Sequence, residues 1–246
     1  MDFMTYAYLQ MGQEAKARAM VEELRAALAK GPLTTNFTAV ACIPARVALE
    51  RGDWAGAAAL PVTDIKVAHA DSLTRFARGI GMARSGNLAG ARGEIEALKA
   101  LKADLDKTSK YWAARTEEQM FAVSAWIAKA EGDAAGAEKL LKSAADSEDA
   151  SVKNVQMENR LYPLREMYAE LLLENGKGAE AYPHYEVSLR ETPNRYRVLY
   201  GAAMAAHAMG DRVAAKRHFE ALVALSKNAD GPRPELSRAR GMIALQ

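Results

Sequence analysis

Two apolar stripes divided by a glycine organise the stretch from Leu164 to Leu225. Val198, Leu199, Ala202, Ala203, Ala205, Ala206 and Met209 keep one broad apolar face at helical spacing until Gly210 and Asp211 interrupt it. Glycine enters the left-handed region that closes a helix without a Cβ clash, and aspartate caps the helix that follows. That second helix runs through Val213, Ala214, Phe219, Leu222, Val223 and Leu225. The same pattern stands 34 residues earlier, where Gly176, Ala181 and Tyr185 correspond to Gly210, Ala215 and Phe219. Pro193 stops the earlier copy before the next begins. A period of this length, with a small residue where two helices touch and a large one beside it, predicts stacked helical hairpins.

Glycine serves as a ruler for the rest of the chain. The hairpins centre on Gly12, Gly52, Gly86, Gly132, Gly176 and Gly210, at successive intervals of 40, 34, 46, 44 and 34 residues. Each glycine is followed five residues later by alanine: Ala17, Ala57, Ala91, Ala137, Ala181 and Ala215. The long intervals mark irregularities. Lys30-Gly31-Pro32-Leu33 predicts a helix stop and turn, and Pro61 predicts a stunted helix after Trp54. The helix after Gly86 is expected to lengthen through Lys102 to Lys110, with Tyr111 and Trp112 opening the next. The polar, poorly periodic segment 147–161 reads as a loop. Residues 233–245 suit a terminal helix that covers the last apolar face.

Tyr168, Ala169, Leu172, Gly176, Ala181, Tyr185, Ser188 and Pro193 stand at the spacing of the tetratricopeptide repeat consensus, which this copy resembles most completely. The resemblance implies antiparallel helix pairs stacked into a right-handed superhelix whose concave face binds a peptide or protein. More loosely, Ala181 to Gly210 and Arg233-Pro234-Glu235-Leu236 look like the C-terminal part of longer bacterial repeat proteins of uncharacterised function. The expected fold is therefore all-α, an α-solenoid of about six such hairpins over residues 1–246 with a C-terminal capping helix.

Composition agrees with a helical chain. It is 50% hydrophobic and only 7% aromatic, and it lacks the alternating β-branched runs of a sheet. With 33 basic against 31 acidic residues, the net charge of +2 provides no general field for nucleic acid or anionic lipid. Cys42 is alone, which leans toward a reducing compartment, the cytoplasm. Residues 1–11 carry no basic leader or cleavage site, and no apolar run approaches the roughly 20 residues that cross a bilayer. Met1 falls at about the fourth position of a first helix, counting back from Gly12 at helical spacing. Either something precedes this chain in the native protein, such as further N-terminal repeats, or it is an excised segment; the resemblance to longer proteins favours the excised segment, with which a signal peptide could have been lost.

Catalytic and metal signatures are missing. The chain has no HExxH, CxxC, Gly-x-Ser-x-Gly or phosphate loop, and Gly79, Gly81 and Gly86 have the wrong spacing and no preceding strand for a dinucleotide loop. Asn36-Phe37-Thr38 fits a glycosylation acceptor, but Thr35 or Asn36 is better explained as a helix cap. His184 and His218 share a repeat position, yet nothing completes a metal ligand set with them. Trp54, Trp112 and Trp126 suit packing between helices. Cys42 reads as a small buried hydrophobe, and Lys99, Lys102, Lys107 and Lys110 as a solvated face. No cofactor or metal is expected.

Counting from each glycine gives the first-helix positions that would line a concave surface. Asp2, Tyr6, Cys42, Arg46, Phe76, Ile80, Ala122, Trp126, Lys129, Glu166, Glu170, Arg197, Tyr200, Met204 and His207 are among them. The Lys/Asn/Arg clamp by which some family members hold acidic chaperone tails is absent at these positions. Arg46, Phe76, Trp126, Arg197 and Tyr200 are the hot-spot candidates for a partner, with inter-repeat sealing as their structural alternative. The expected function is a non-catalytic scaffold that binds an unidentified protein or peptide. The alternative is a small-molecule or enzymatic site in the groove or near residues 147–166, where Tyr162, Arg165 and Glu166, with Arg195, Tyr196 and Arg197, could hold an anion.

Overall fold

The computed structural model describes residues 1–31, 37–62, 65–151 and 160–245, without the Phe37 side chain. Thirteen α-helices and no strand occur among the described residues. The first six are α1 (Asp2–Gln10), α2 (Glu14–Leu28), α3 (Phe37–Glu50), α4 (Trp54–Ala58), α5 (Ala68–Arg84) and α6 (Leu88–Thr108). Then follow α7 (Lys110–Ala130), α8 (Ala134–Ala150), α9 (Leu164–Glu174), α10 (Gly178–Glu191), α11 (Tyr196–Ala208), α12 (Arg212–Leu225) and α13 (Pro234–Ala244).

The glycine ruler describes the turns. All six ruler glycines have positive φ, between 64° and 89°. At each one the glycine N–H donates to the carbonyl three residues back and the next N–H to the carbonyl five back, as in Gly132 to Lys129 and Asp133 to Ala128. This is the Schellman closure, and it needs a residue that tolerates the left-handed region. Asp53, Asn87, Asp133 and Asp211 then accept a hydrogen bond from the backbone three residues on and so cap α4, α6, α8 and α12. All six alanines five residues after a ruler glycine are fully buried. Any larger side chain there would separate paired helices that pack at side-chain contact.

The irregularities have local causes. Helix α4 is five residues long and ends three residues before Pro61. Helices α6 and α7 are 21 residues each, divided only at Ser109, whose hydroxyl caps α7 at Trp112 N–H. Helix α8 continues through Ser147 to Ala150, so the loop expected from 147 does not begin there, and Leu164 opens α9. Its middle, residues 152–159, lies outside the described residues, as do Pro32, Leu33, Thr35 and Asn36, on which the expected turn and cap fall.

Gly79 and Gly81, set aside above as a nucleotide loop, are interior residues of α5 at close helix crossings. A β-carbon at 79 would come within 2.8 Å of the Val123 side chain on α7, and one at 81 within 2.6 Å of the Trp54 carbonyl on α4.

The chain divides into two compact bodies. The first comprises residues 1–3 and 20–164, where α3 packs on α5, α5 on α7, α4 and α6 on the helices before and after them, and α8 on α7. The second comprises residues 4–19 and 165–246. Its core gathers Tyr196, Leu199, Ala203, Ala206, Phe219, Leu222 and Ala239 from α11, α12 and α13. Residues 4–19 belong to it through specific contacts. Gln10 Oε1 accepts from Tyr196 N–H at 2.7 Å, Gly12 O from Asp230 N–H at 3.2 Å, and Arg233 pairs with Glu14 at 3.4 Å.

Candidate functional site

A cavity of about 450 Å³ lies within the first body. Because α5 packs on both α3 and α7, the facing side chains of three first helices converge on one space. Helix α5 contributes His69, Leu73 and Phe76 at i, i+4 and i+7, a single helical face. Helix α7 contributes Trp112, Arg115, Glu118 and Gln119, and α3 contributes Thr38 and Cys42. Among the described residues, Asp2, Glu148 at the end of α8, Arg160, Leu161, Tyr162 and Leu164 also line it.

Its apolar side is aromatic. The Trp112 ring stacks on His69 with centroids 4.8 Å apart and 15° between planes, and Phe76 is buried below. Burial lowers the His69 pKa, with Asp71 opposing, so the imidazole is neutral near pH 7.

The polar side is built from largely buried ion pairs. Arg115, 8% exposed, donates to Glu118 Oε1 at 2.5 Å and to Ser151 Oγ. Ser147 Oγ donates to the same Glu118 oxygen at 2.6 Å. Arg160 pairs with Glu148 at 3.4 Å and donates to its backbone carbonyl at 3.1 Å. Ser151 Oγ also donates to that carbonyl, so both guanidiniums meet around the last turn of α8. Burial pushes the Glu148 carboxyl up to about 7 against the opposing pull of Arg160. Burial also pushes the Cys42 thiol up to about 12, which makes it a poor nucleophile at neutral pH.

The five residues singled out from the sequence are distributed between the two bodies. In the first, Arg46 is fully buried, fixed by both Asp2 carboxylate oxygens at 2.9 and 3.1 Å and by Arg160 O at 3.1 Å. Phe76 lines the cavity. Trp126 is 3% exposed and with Trp54 sandwiches the Arg84 guanidinium, 3.9 and 4.0 Å from the two ring centroids. In the second, Arg197 and Tyr200 line a smaller cavity of about 220 Å³ with Glu166, Glu170, Glu174 and Glu235. Glu166 binds both Arg195 and Arg197, and Arg197 reaches Glu170 at 2.7 Å. Both arginines are thus paired with carboxylates of α9.

Arg115, Glu118, Gln119, Glu148 and Arg160 were not among the sequence candidates. The available signal was a charged pair, Arg115 and Glu118, on the inward face of α7 a few turns before Trp126. Among the described residues no group of three or more His, Cys, Asp or Glu side chains is placed to hold a metal ion, and no helix is long and apolar enough to cross a membrane. No family model matches the chain, and no curated protein matches it.

Proposed function

We propose that the protein is a helical-repeat binding protein that takes a compact small molecule in the cavity of its first body. The observation that carries this reading is the cavity's construction. It has the volume of small-molecule sites, an aromatic side formed by Phe76 and Trp112, and a few buried polar groups drawn from separate elements. Chemistry is not required of it: the Cys42 thiol is protonated at neutral pH, and the arginines are locked in pairs.

Saturation-transfer NMR with neutral aromatic fragments, indole and benzyl alcohol, tests the reading. Transfer to the wild-type protein is expected, and Leu73→Trp, which fills the cavity from α5, should abolish it while leaving helical circular dichroism unchanged. Equal transfer to both proteins, or none to the wild type, would refute the site.

A second reading is the scaffold that the tetratricopeptide resemblance implies, an α-solenoid with a protein partner. It is supported by the six Schellman turns with six buried alanines, and by exposed apolar side chains beside one turn, Met209 at 39% and Val213 at 83%. Affinity capture with wild type and a Met209→Asp/Val213→Asp variant tests it. A partner lost by the variant supports the scaffold, and identical capture profiles count against it.

A further inference from the structure

The lining of the first-body cavity specifies the kind of ligand it takes. Among the described residues, three polar atoms of lining side chains are buried without a hydrogen bond: Nε of Arg115, Nε of Arg160 and Oε1 of Gln119. Two are donors and one is an acceptor. A buried polar atom left unmade costs its full desolvation penalty, so the complementary ligand both accepts and donates.

Charge adds a second constraint. Above pH 7, where the Glu148 carboxyl is ionised, three carboxylates among the described residues, Asp2, Glu118 and Glu148, are matched by three guanidiniums, those of Arg46, Arg115 and Arg160. A ligand with net charge would leave one of these charges without a counterpart, which is unfavourable where the paired groups are largely buried. A ligand that carries one charge of each sign leaves the balance intact. Leu73, Phe76 and Trp112 require in addition an apolar body.

We infer that the cavity binds an α-amino acid zwitterion with a large apolar side chain. Its carboxylate accepts from the Arg115 and Arg160 Nε donors at the end of α8, its ammonium donates to Gln119 Oε1, and its side chain lies against Phe76 and Trp112. This rests on the cavity being a ligand site, as proposed above.

Isothermal titration calorimetry with three related compounds tests it: L-phenylalanine, 3-phenylpropanoate lacking the amine, and phenethylamine lacking the carboxylate. Phenylalanine is expected to bind, with each singly charged analogue at least about ten-fold weaker, since each leaves a buried polar atom unpaired. Gln119→Leu should weaken phenylalanine about ten-fold while leaving 3-phenylpropanoate nearly unchanged. Indole and the Leu73→Trp protein are run alongside. If indole binds the wild type and not Leu73→Trp, but phenylalanine binds no better than its analogues, the zwitterion is excluded and the cavity stands as a site for another ligand. If neither indole nor phenylalanine binds, both readings fall.

Discussion

The α-carbon of Gly81 on α5 lies against the Trp54 carbonyl on α4, so close that a β-carbon would stand 2.6 Å from that oxygen and 2.8 Å from the Ala57 side chain. The obstructing oxygen is backbone and cannot rotate away. Gly81→Ala should therefore cost about 2 kcal/mol or more despite the better helix propensity of alanine. Urea denaturation measures it, and a stability equal to wild type would mean that α4 moves freely against α5.

Turn and helix glycines should respond in opposite senses. Gly132 has φ +89° with no neighbour within 4 Å of an added β-carbon, so Gly132→Ala meets only backbone strain and should destabilise by about 1 kcal/mol. Gly93 lies exposed inside α6 with equally open space. Gly93→Ala should stabilise by about 0.5–1 kcal/mol through helix propensity. Midpoints from thermal melts of the two variants should bracket that of wild type.

The Arg46–Asp2 pair tests whether residues 1–3 are integral to the first body. Arg46 is fully buried, and Asp2 engages it with both carboxylate oxygens. Asp2→Ala leaves the buried guanidinium with fewer partners and should cost about 3 kcal/mol, the lower end of the range for a broken buried pair because Asp2 itself is partly exposed. Asp2→Asn, which keeps one acceptor, should cost less. Equal losses for the two would show that the anion contributes nothing.

Glu148 predicts a pH dependence of stability. Its carboxyl is raised from 4.5 to about 7 in the folded protein, chiefly by burial, so the folded state holds a proton that the unfolded chain releases. Stability from this group is fully present below pH 4.5 and is lost as pH rises toward 7, by roughly 3 kcal/mol across that window. Glu148→Gln removes the titration and should flatten the profile between pH 5 and 7. Denaturant midpoints at pH 5, 6, 7 and 8 distinguish the two proteins, and superimposable profiles would contradict the assignment.

Most of the fold was legible in the order of residues because its determinants are local. A glycine that closes a helix, an Asp or Asn that caps the next, and an alanine five residues on act within one or two turns of chain. The stunted α4 and the long α6 and α7 follow equally from Pro61 and from the polar register around Ser109. The terminal helix α13 starts at Pro234, where fixed φ suits the first turn. Of the site, Cys42 and Phe76 were reachable by counting back from Gly52 and Gly86, since both fall on inward first-helix positions.

The remainder belonged to tertiary structure. Arg46 meets Asp2 across 44 residues and Arg160 across 114, while Arg233 meets Glu14 across 219. Which charges are buried together depends on how helices cross, and periodicity within a helix carries no information about that. From their register alone Arg46 and Trp126 read as groove positions with inter-repeat sealing as the alternative, and the packing makes both interior groups with fixed partners. The same packing brought Arg115, Glu118, Glu148 and Arg160 around one cavity and set the proton affinity of Glu148, a property of the water excluded by neighbouring helices and of no residue's identity alone.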